Sequence, residues 1–281
     1  MAASSPGACK LTAHSLLLDC PQADSELVSA ELYELGTTGI TERDLPGGQC
    51  QLEAFFGERF AMPATLSRFS PTWHLHQYEE AGWVDTFESF AVGARFYLVP
   101  GWRADEAPAG RIRLPVHARQ ASGSGYQPAT QLALEALERH LCAGDRFLDV
   151  GTGSGILSAA ARLLKSGARF ACDLDLAALG EARENLTPAH LFGGSARAVA
   201  AGSMDVVAAN LNAEALLGQR LELTRVLAPR GRLILSGFRR RNQARLTEAF
   251  SLAVREELTS GDWCALVLAI DSTSRLPVAS D

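Results

Sequence analysis

Residues 147–155 read Phe-Leu-Asp-Val-Gly-Thr-Gly-Ser-Gly, an apolar strand running straight into three glycines at alternate positions. Glycine turns the chain sharply and lets a ligand approach the backbone with no side chain between them. The helix that follows offers its first N–H groups. From position 145 onward the same grammar continues: strand 146–150, helix 154–166, strand 168–173, helix 175–186, strand 204–209, helix 213–227, strand 231–236, helix 240–255. Such alternation predicts an α/β fold, a doubly wound and mostly parallel sheet with crossover helices. The apolar run 264–270 is a candidate final strand of antiparallel sense.

In a sheet of this kind ligands sit beyond the carboxyl ends of the strands. Both the glycine loop and Asp173, at the end of the second strand, fall there. Asp173 stands 18 residues beyond Gly155, where an acid can accept hydrogen bonds from both hydroxyls of a ribose. A dinucleotide fingerprint needs a third glycine three residues after the second, and position 156 is Ile, which argues against NAD or FAD. Asp149 closing the strand, in the pattern D-x-G-x-G-x-G, points instead to S-adenosyl-L-methionine (SAM). The competing reading is a plain turn followed by a helix cap.

The chain has 281 residues, 47% of them hydrophobic, enough to bury two cores. Segments 11–18, 39–41 and 50–55 read as short strands and 23–35 as a helix, so residues 1–105 are expected to form a small α+β domain. Prolines at 100, 108 and 115 and several glycines suit an extended connection over 106–125. Residues 126–281 then form the second domain, entered through a helix near 127–141 with Leu132, Leu134, Leu137 and Leu141 available for burial. A formal charge of −6 disfavours a grip on nucleic-acid phosphates and suits a basic partner. Six cysteines without C-x-x-C or zinc spacing read as buried free thiols of a reducing compartment, so a cytoplasmic location is expected. No stretch reaches the roughly 18 apolar residues of a membrane span.

The landmarks together resemble the PrmA family, methyltransferases of amino groups on the ribosomal protein L11. Glu34-Leu-Gly-Thr-Thr-Gly-Ile is similar to that family's early L-x-E-x-G-A-x-G-V segment. Trp83 with Val99-Pro-Gly-Trp102 resembles its W…P-x-W stretch, and Gly123-Ser-Gly-Tyr-Gln-Pro-Ala-Thr130 stands where it has G-T-G-x-H-P-T-T. Leu148 to Leu157, Val207-Ala-Ala-Asn-Leu211 and Gly231-Arg-Leu-Ile-Leu-Ser-Gly237 match closely. The resemblance implies an N-terminal substrate-recognition domain joined to a SAM-binding domain, with lysine side chains as acceptors. It also implies a monomer whose partner is a basic protein of the large ribosomal subunit. It places Asp149, Gly151, Thr152, Gly153, Gly155, Asp173, Leu174 and Asn210 around the cofactor, and Asn210, Thr130 and Gln127 at the reaction centre. Gln127 occupies the family's His position and Ala129 the first of two Thr positions. Ser195-Ala-Arg197 offers no carboxylate for the adenine amino group, so backbone amides and apolar contacts are expected there.

Methyl transfer from a sulfonium is an in-line displacement that asks the protein to align a deprotonated nucleophile and exclude water. Asn210, at a strand end, could receive the amine through an oxygen, or Asn210 or Asn212 could cap the following helix. Thr130 and Gln127 could face the reacting groups or merely start their own helix. His74 and His76 share a strand face but lack a third ligand, so no metal is expected. Arg239, Arg240 and Arg241 lie on the ligand edge, as an anion contact or a solvated helix start.

Overall fold

The computed structural model describes residues 10–37, 39–79, 88–116, 125–186 and 190–270. Trp83, residues 117–124 of the expected connection and Cys9 lie outside them. The chain divides into two compact units, Met1–Glu88 and Ser89–Asp281.

The first unit runs β1 (Lys10–Pro21), α1 (Ser25–Glu34), β2 (Gly39–Leu45), β3 (Gln49–Phe56), α2 (Ala64–Ser67) and β4 (Thr72–Glu79). Its antiparallel sheet has the order β2-β3-β1-β4, a split βαβ arrangement. Strand β3 alternates strictly, burying Cys50, Leu52, Ala54 and Phe56. With period-two side chains this puts one whole face of the sheet against Val28 and Leu32 of α1 and Leu66 of α2.

The second unit opens with β5 (Phe90–Val92), β6 (Phe96–Pro100) and β7 (Ile112–Val116), a three-stranded sheet in which β6 and β7 run parallel. The expected connection over 106–125 is therefore corrected: β7 lies inside it. Pro115 is tolerated because β7 is an edge strand, where a missing N–H costs no ladder bond.

Then follow α3 (Pro128–His140), β8 (Phe147–Val150), α4 (Ile156–Leu163), β9 (Arg169–Asp173), α5 (Leu176–Asn185), β10 (His190–Gly193), β11 (Met204–Asn210), α6 (Ala213–Arg225), β12 (Leu227–Arg239), α7 (Gln243–Phe250), β13 (Ala253–Ser260) and β14 (Trp263–Ala269). They build one seven-stranded sheet, order β10-β9-β8-β11-β12-β14-β13. The strands β8 to β12 pair parallel, and β14 runs antiparallel to both its neighbours. The doubly wound α/β expectation holds. The helix expected over 240–255 ends at Phe250, where Ser251 takes the left-handed conformation (φ 50°), and the chain returns as β13.

Burial on both faces explains the near-continuous apolar strands. Phe147, Val206, Ala208, Ile234, Ala265 and Val267 pack beneath α3 and α4. Leu148, Val150, Val207, Leu233, Leu235 and Leu266 pack beneath α6 and α7. The strand order reverses between β8 and β11, and a crevice at their carboxyl ends is the place such a sheet offers a ligand. Among the described residues no helix is long and apolar enough to cross a membrane.

Candidate active site

The loop after β8 places Gly151, Gly153 and Gly155 at φ 69°, 52° and 82°, a region that side-chain-bearing residues avoid at about 1–2 kcal/mol each. The three positions differ in what surrounds them. A Cβ on Gly151 would sit 2.4 Å from Leu211 Cδ2 and one on Gly155 2.9 Å from Leu186 Cγ, whereas at Gly153 nothing lies within 4 Å. The outer glycines are packing requirements; the middle one opens onto free space.

Asp149, 1% exposed, fixes this loop to α4. Its Oδ2 accepts from Thr152 Oγ (2.8 Å), Ser158 N (3.1 Å) and Ser158 Oγ (3.0 Å). Burial pushes its pKa up from 3.8 to about 6 against the pull of those three bonds, and the Asp173 charge adds to the rise. From the next strand, Asp173 Oδ2 accepts from Gly153 N (2.9 Å) and Oδ1 from Asp175 N (3.0 Å). Each oxygen keeps lone-pair capacity for a further donor. Beside it Leu174 and Leu176 are 75% and 73% exposed, apolar surface of the kind an adenosine would cover. Asn185 Nδ2 donates to Ser154 O (2.7 Å) and steadies the far side of the loop.

The segment after β10, where backbone contacts to adenine were expected, is held by bonds within the chain. Gly194 N donates to Asp173 O (2.8 Å), and Ser195 accepts from Arg197 N. Arg225 Nη2 donates to the carbonyls of Ala196, Arg197 and Val199. An arginine of α6 thus shapes this turn in the absence of a carboxylate. The open space over Gly153, the acid at 173 and the exposed leucines fit SAM.

Across the switch point, Asn210 Nδ2 donates to Thr130 Oγ1 (3.1 Å), and Thr130 is fully buried. The capping role falls to Asn212, whose Oδ1 accepts from Ala215 N (2.8 Å). Gln127 occupies the N-cap position of α3 without a side-chain cap bond and is exposed. Ala129 is 2% exposed, and its carbonyl accepts from the buried Ser236 Oγ (2.6 Å). Arg239 stacks over Trp263, 4.1 Å to the ring centroid, while Arg240 and Arg241 open the turn before α7, exposed. His74 is exposed, and no metal-ligand cluster occurs among the described residues. Cys142, expected to be buried, is exposed in the turn before β8; Cys20, Cys50, Cys172 and Cys264 are buried. Ser158, Asn185, Arg225 and Ser236 escaped the sequence reading, since each acts on a partner with no local spacing to announce it.

A doubly wound sheet that includes an antiparallel β14, a glycine loop with Ile156 where a dinucleotide fold needs glycine, and an acid after the second strand are those of a SAM-dependent methyltransferase. Residues 60–270 match the family model for ribosomal protein L11 methyltransferase (PrmA). The ribosomal protein L11 methyltransferase of Myxococcus xanthus is 28% identical over 90% of this chain and 97% of its own length. That of Sorangium cellulosum is 35% identical over 78% of this chain and 77% of its own. The crystal structure of a ribosomal protein L11 methylase from Lactobacillus delbrueckii subsp. bulgaricus superposes with a TM-score of 0.58 at 26% identity. That match covers 64% of this chain and 96% of that one. The chain belongs to the ribosomal protein L11 methyltransferase (PrmA) family.

Proposed function

We propose that the chain methylates lysine side-chain amino groups of ribosomal protein L11, in the cytoplasm and as a monomer, with Asn210, Thr130 and Gln127 at the acceptor side. The observation that carries this reading is the Asn210–Thr130 hydrogen bond. It commits the amide nitrogen to α3 and leaves Oδ1 to accept from an incoming amine at the edge of the crevice. The matching relatives are named for this acceptor, and a chain of formal charge −6 suits a basic partner.

Bound SAM supplies an electrophilic methyl group on a sulfonium. Gly151, Thr152, Gly153, Gly155, Asp173, Leu174 and the backbone at Asn210 would hold and orient it, Asp173 through the ribose hydroxyls and the buried Asp149 through the loop that it fixes. A protonated lysine has no lone pair, and its ordinary pKa is about 10.4. The amine must therefore lose its proton to water as it docks. Asn210 Oδ1, accepting from one remaining N–H, turns the nitrogen lone pair toward the methyl carbon, and the buried Thr130 keeps the amide from rotating. Gln127, exposed at the start of α3, contacts the entering side chain. The Met1–Glu88 unit recognises the substrate.

The test is incubation of purified protein with labelled SAM and a ribosomal-protein fraction, followed by mass spectrometry of labelled bands. Label on lysines of L11 supports the reading. Label confined to another protein, or to N-terminal amines alone, refutes it.

A further inference from the structure

Strand β12 is built of Leu233, Ile234, Leu235 and Phe238, all buried, with one hydroxyl among them. Ser236 is itself fully buried, and a hydroxyl so placed costs stability unless it is hydrogen-bonded. Its Oγ reaches out of the sheet to the carbonyl of Ala129 in the first turn of α3 (2.6 Å), 107 residues away in sequence. Its own carbonyl accepts from Leu211 N (2.9 Å). The next residue, Gly237, has φ 91°, and a Cβ there would meet the backbone O, N and C of Leu211 at 2.5, 2.7 and 2.8 Å.

We infer that Ser236 is a positioning residue for methyl transfer, joining the end of β12 to α3 so that Asn210 and Thr130 are held in one geometry. The inference rests on reading those two residues as the acceptor site. Three hydrogen bonds and the chain itself close a ring: the Asn210 side chain to Thr130, Thr130 through its peptide bond to Ala129, the Ala129 carbonyl to Ser236, and Ser236 through its own carbonyl to the Leu211 amide beside Asn210. The strand thereby holds the 210–212 loop from one side and α3 from the other. The Asn210–Thr130 bond spans two elements whose separation Ser236 fixes. In-line transfer is sensitive to displacements of about 1 Å in the aligning groups, so the ring governs turnover, while the loop at 151–155 keeps its own bonds to Asp149 and Asp173.

The test uses the full chain with Ser236→Ala, Thr130→Val and the double variant. Turnover is measured with labelled SAM and purified L11, SAM affinity by calorimetry, and backbone exchange by deuterium labelling. Each single variant is expected to lower kcat roughly tenfold with SAM affinity within about twofold of the parent. The double variant should fall no more than about twofold below the slower single variant, because a ring already opened has nothing further to lose. Losses that multiply in the double variant, an unchanged kcat in Ser236→Ala, or a SAM affinity that falls in step with kcat each overturn the inference. Exchange decides independently of the acceptor: amides of residues 130–134 should exchange about fivefold or more faster in Ser236→Ala, with those of 173–177 unchanged. If the parent leaves L11 unlabelled, the acceptor reading fails separately and unaltered exchange at 130–134 still overturns the ring. Should Ser236→Ala not fold, Ser236→Cys keeps the volume with a weaker donor. An intermediate kcat then supports the inference, and a parental kcat overturns it.

Discussion

Replacing Asp149 with Asn is expected to raise the heat stability of the ligand-free catalytic unit near neutral pH, and to raise it less in mild acid. All three donors converge on Oδ2, so an amide oxygen in the same place keeps the bonds from Thr152 and Ser158, while the charge is removed and an NH2 group replaces Oδ1. Burial raises the carboxyl pKa from 3.8 to about 6, so between those values the folded chain holds a proton that the unfolded chain has released. The contribution of this group is thus fully present below the unfolded pKa and is lost as pH rises through the folded one. The whole shift corresponds to about 3 kcal/mol, of which about 2 kcal/mol falls between roughly pH 4.5 and 7.5. For a unit of this size that is roughly 4–8 °C in Tm. Calorimetric melts of parent and Asp149→Asn across that range should show the variant's advantage growing by this amount. A difference that stays flat, or shrinks with rising pH, refutes burial as the dominant influence on this carboxyl.

Gly153→Arg should abolish SAM binding in calorimetry while lowering stability in thermal melts only by the strain of a left-handed residue, about 1 kcal/mol, since the space it fills is open. Gly237→Ala presses on the Leu211 backbone, so a stability loss of about 2 kcal/mol or more is expected in thermal melts, together with a fall in kcat. Asp173→Asn removes the charge while retaining one acceptor for Gly153 N. SAM affinity should drop about tenfold with kcat at saturating SAM little changed, as titration calorimetry and initial rates will show.

The catalytic fold was legible because its signals are local. The glycine spacing, the acid eighteen residues on and the period of each helix can all be read within a short window. What escaped depended on distance or on edges. Strand β13 carries Arg255, Glu256 and Glu257 as an edge of the sheet, where polar side chains are at home, so no apolar alternation marked it. Strand β10 is four residues long. Strand β7 hid behind Pro115, a residue an edge strand accepts. At the site, Asp149 and Asp173 were placed by spacing, but their partners were not. Ser158 lies in the first turn of α4, nine residues beyond Asp149, and Ser236 binds a carbonyl beyond any window that periodicity can scan. The choice between Asn210 and Asn212 as helix cap was open in sequence because both precede the same helix. The pairing of Asn210 with Thr130, across 80 residues, separates their roles.

The central claim is that Asn210 aligns the acceptor amine and does not serve SAM affinity through its side chain. The direct measurement is kcat of Asn210→Ala with L11 at saturating SAM, set beside its SAM dissociation constant. A fall in kcat of about a hundredfold or more with Kd within about threefold is predicted. A kcat within a factor of about two of the parent would contradict the account.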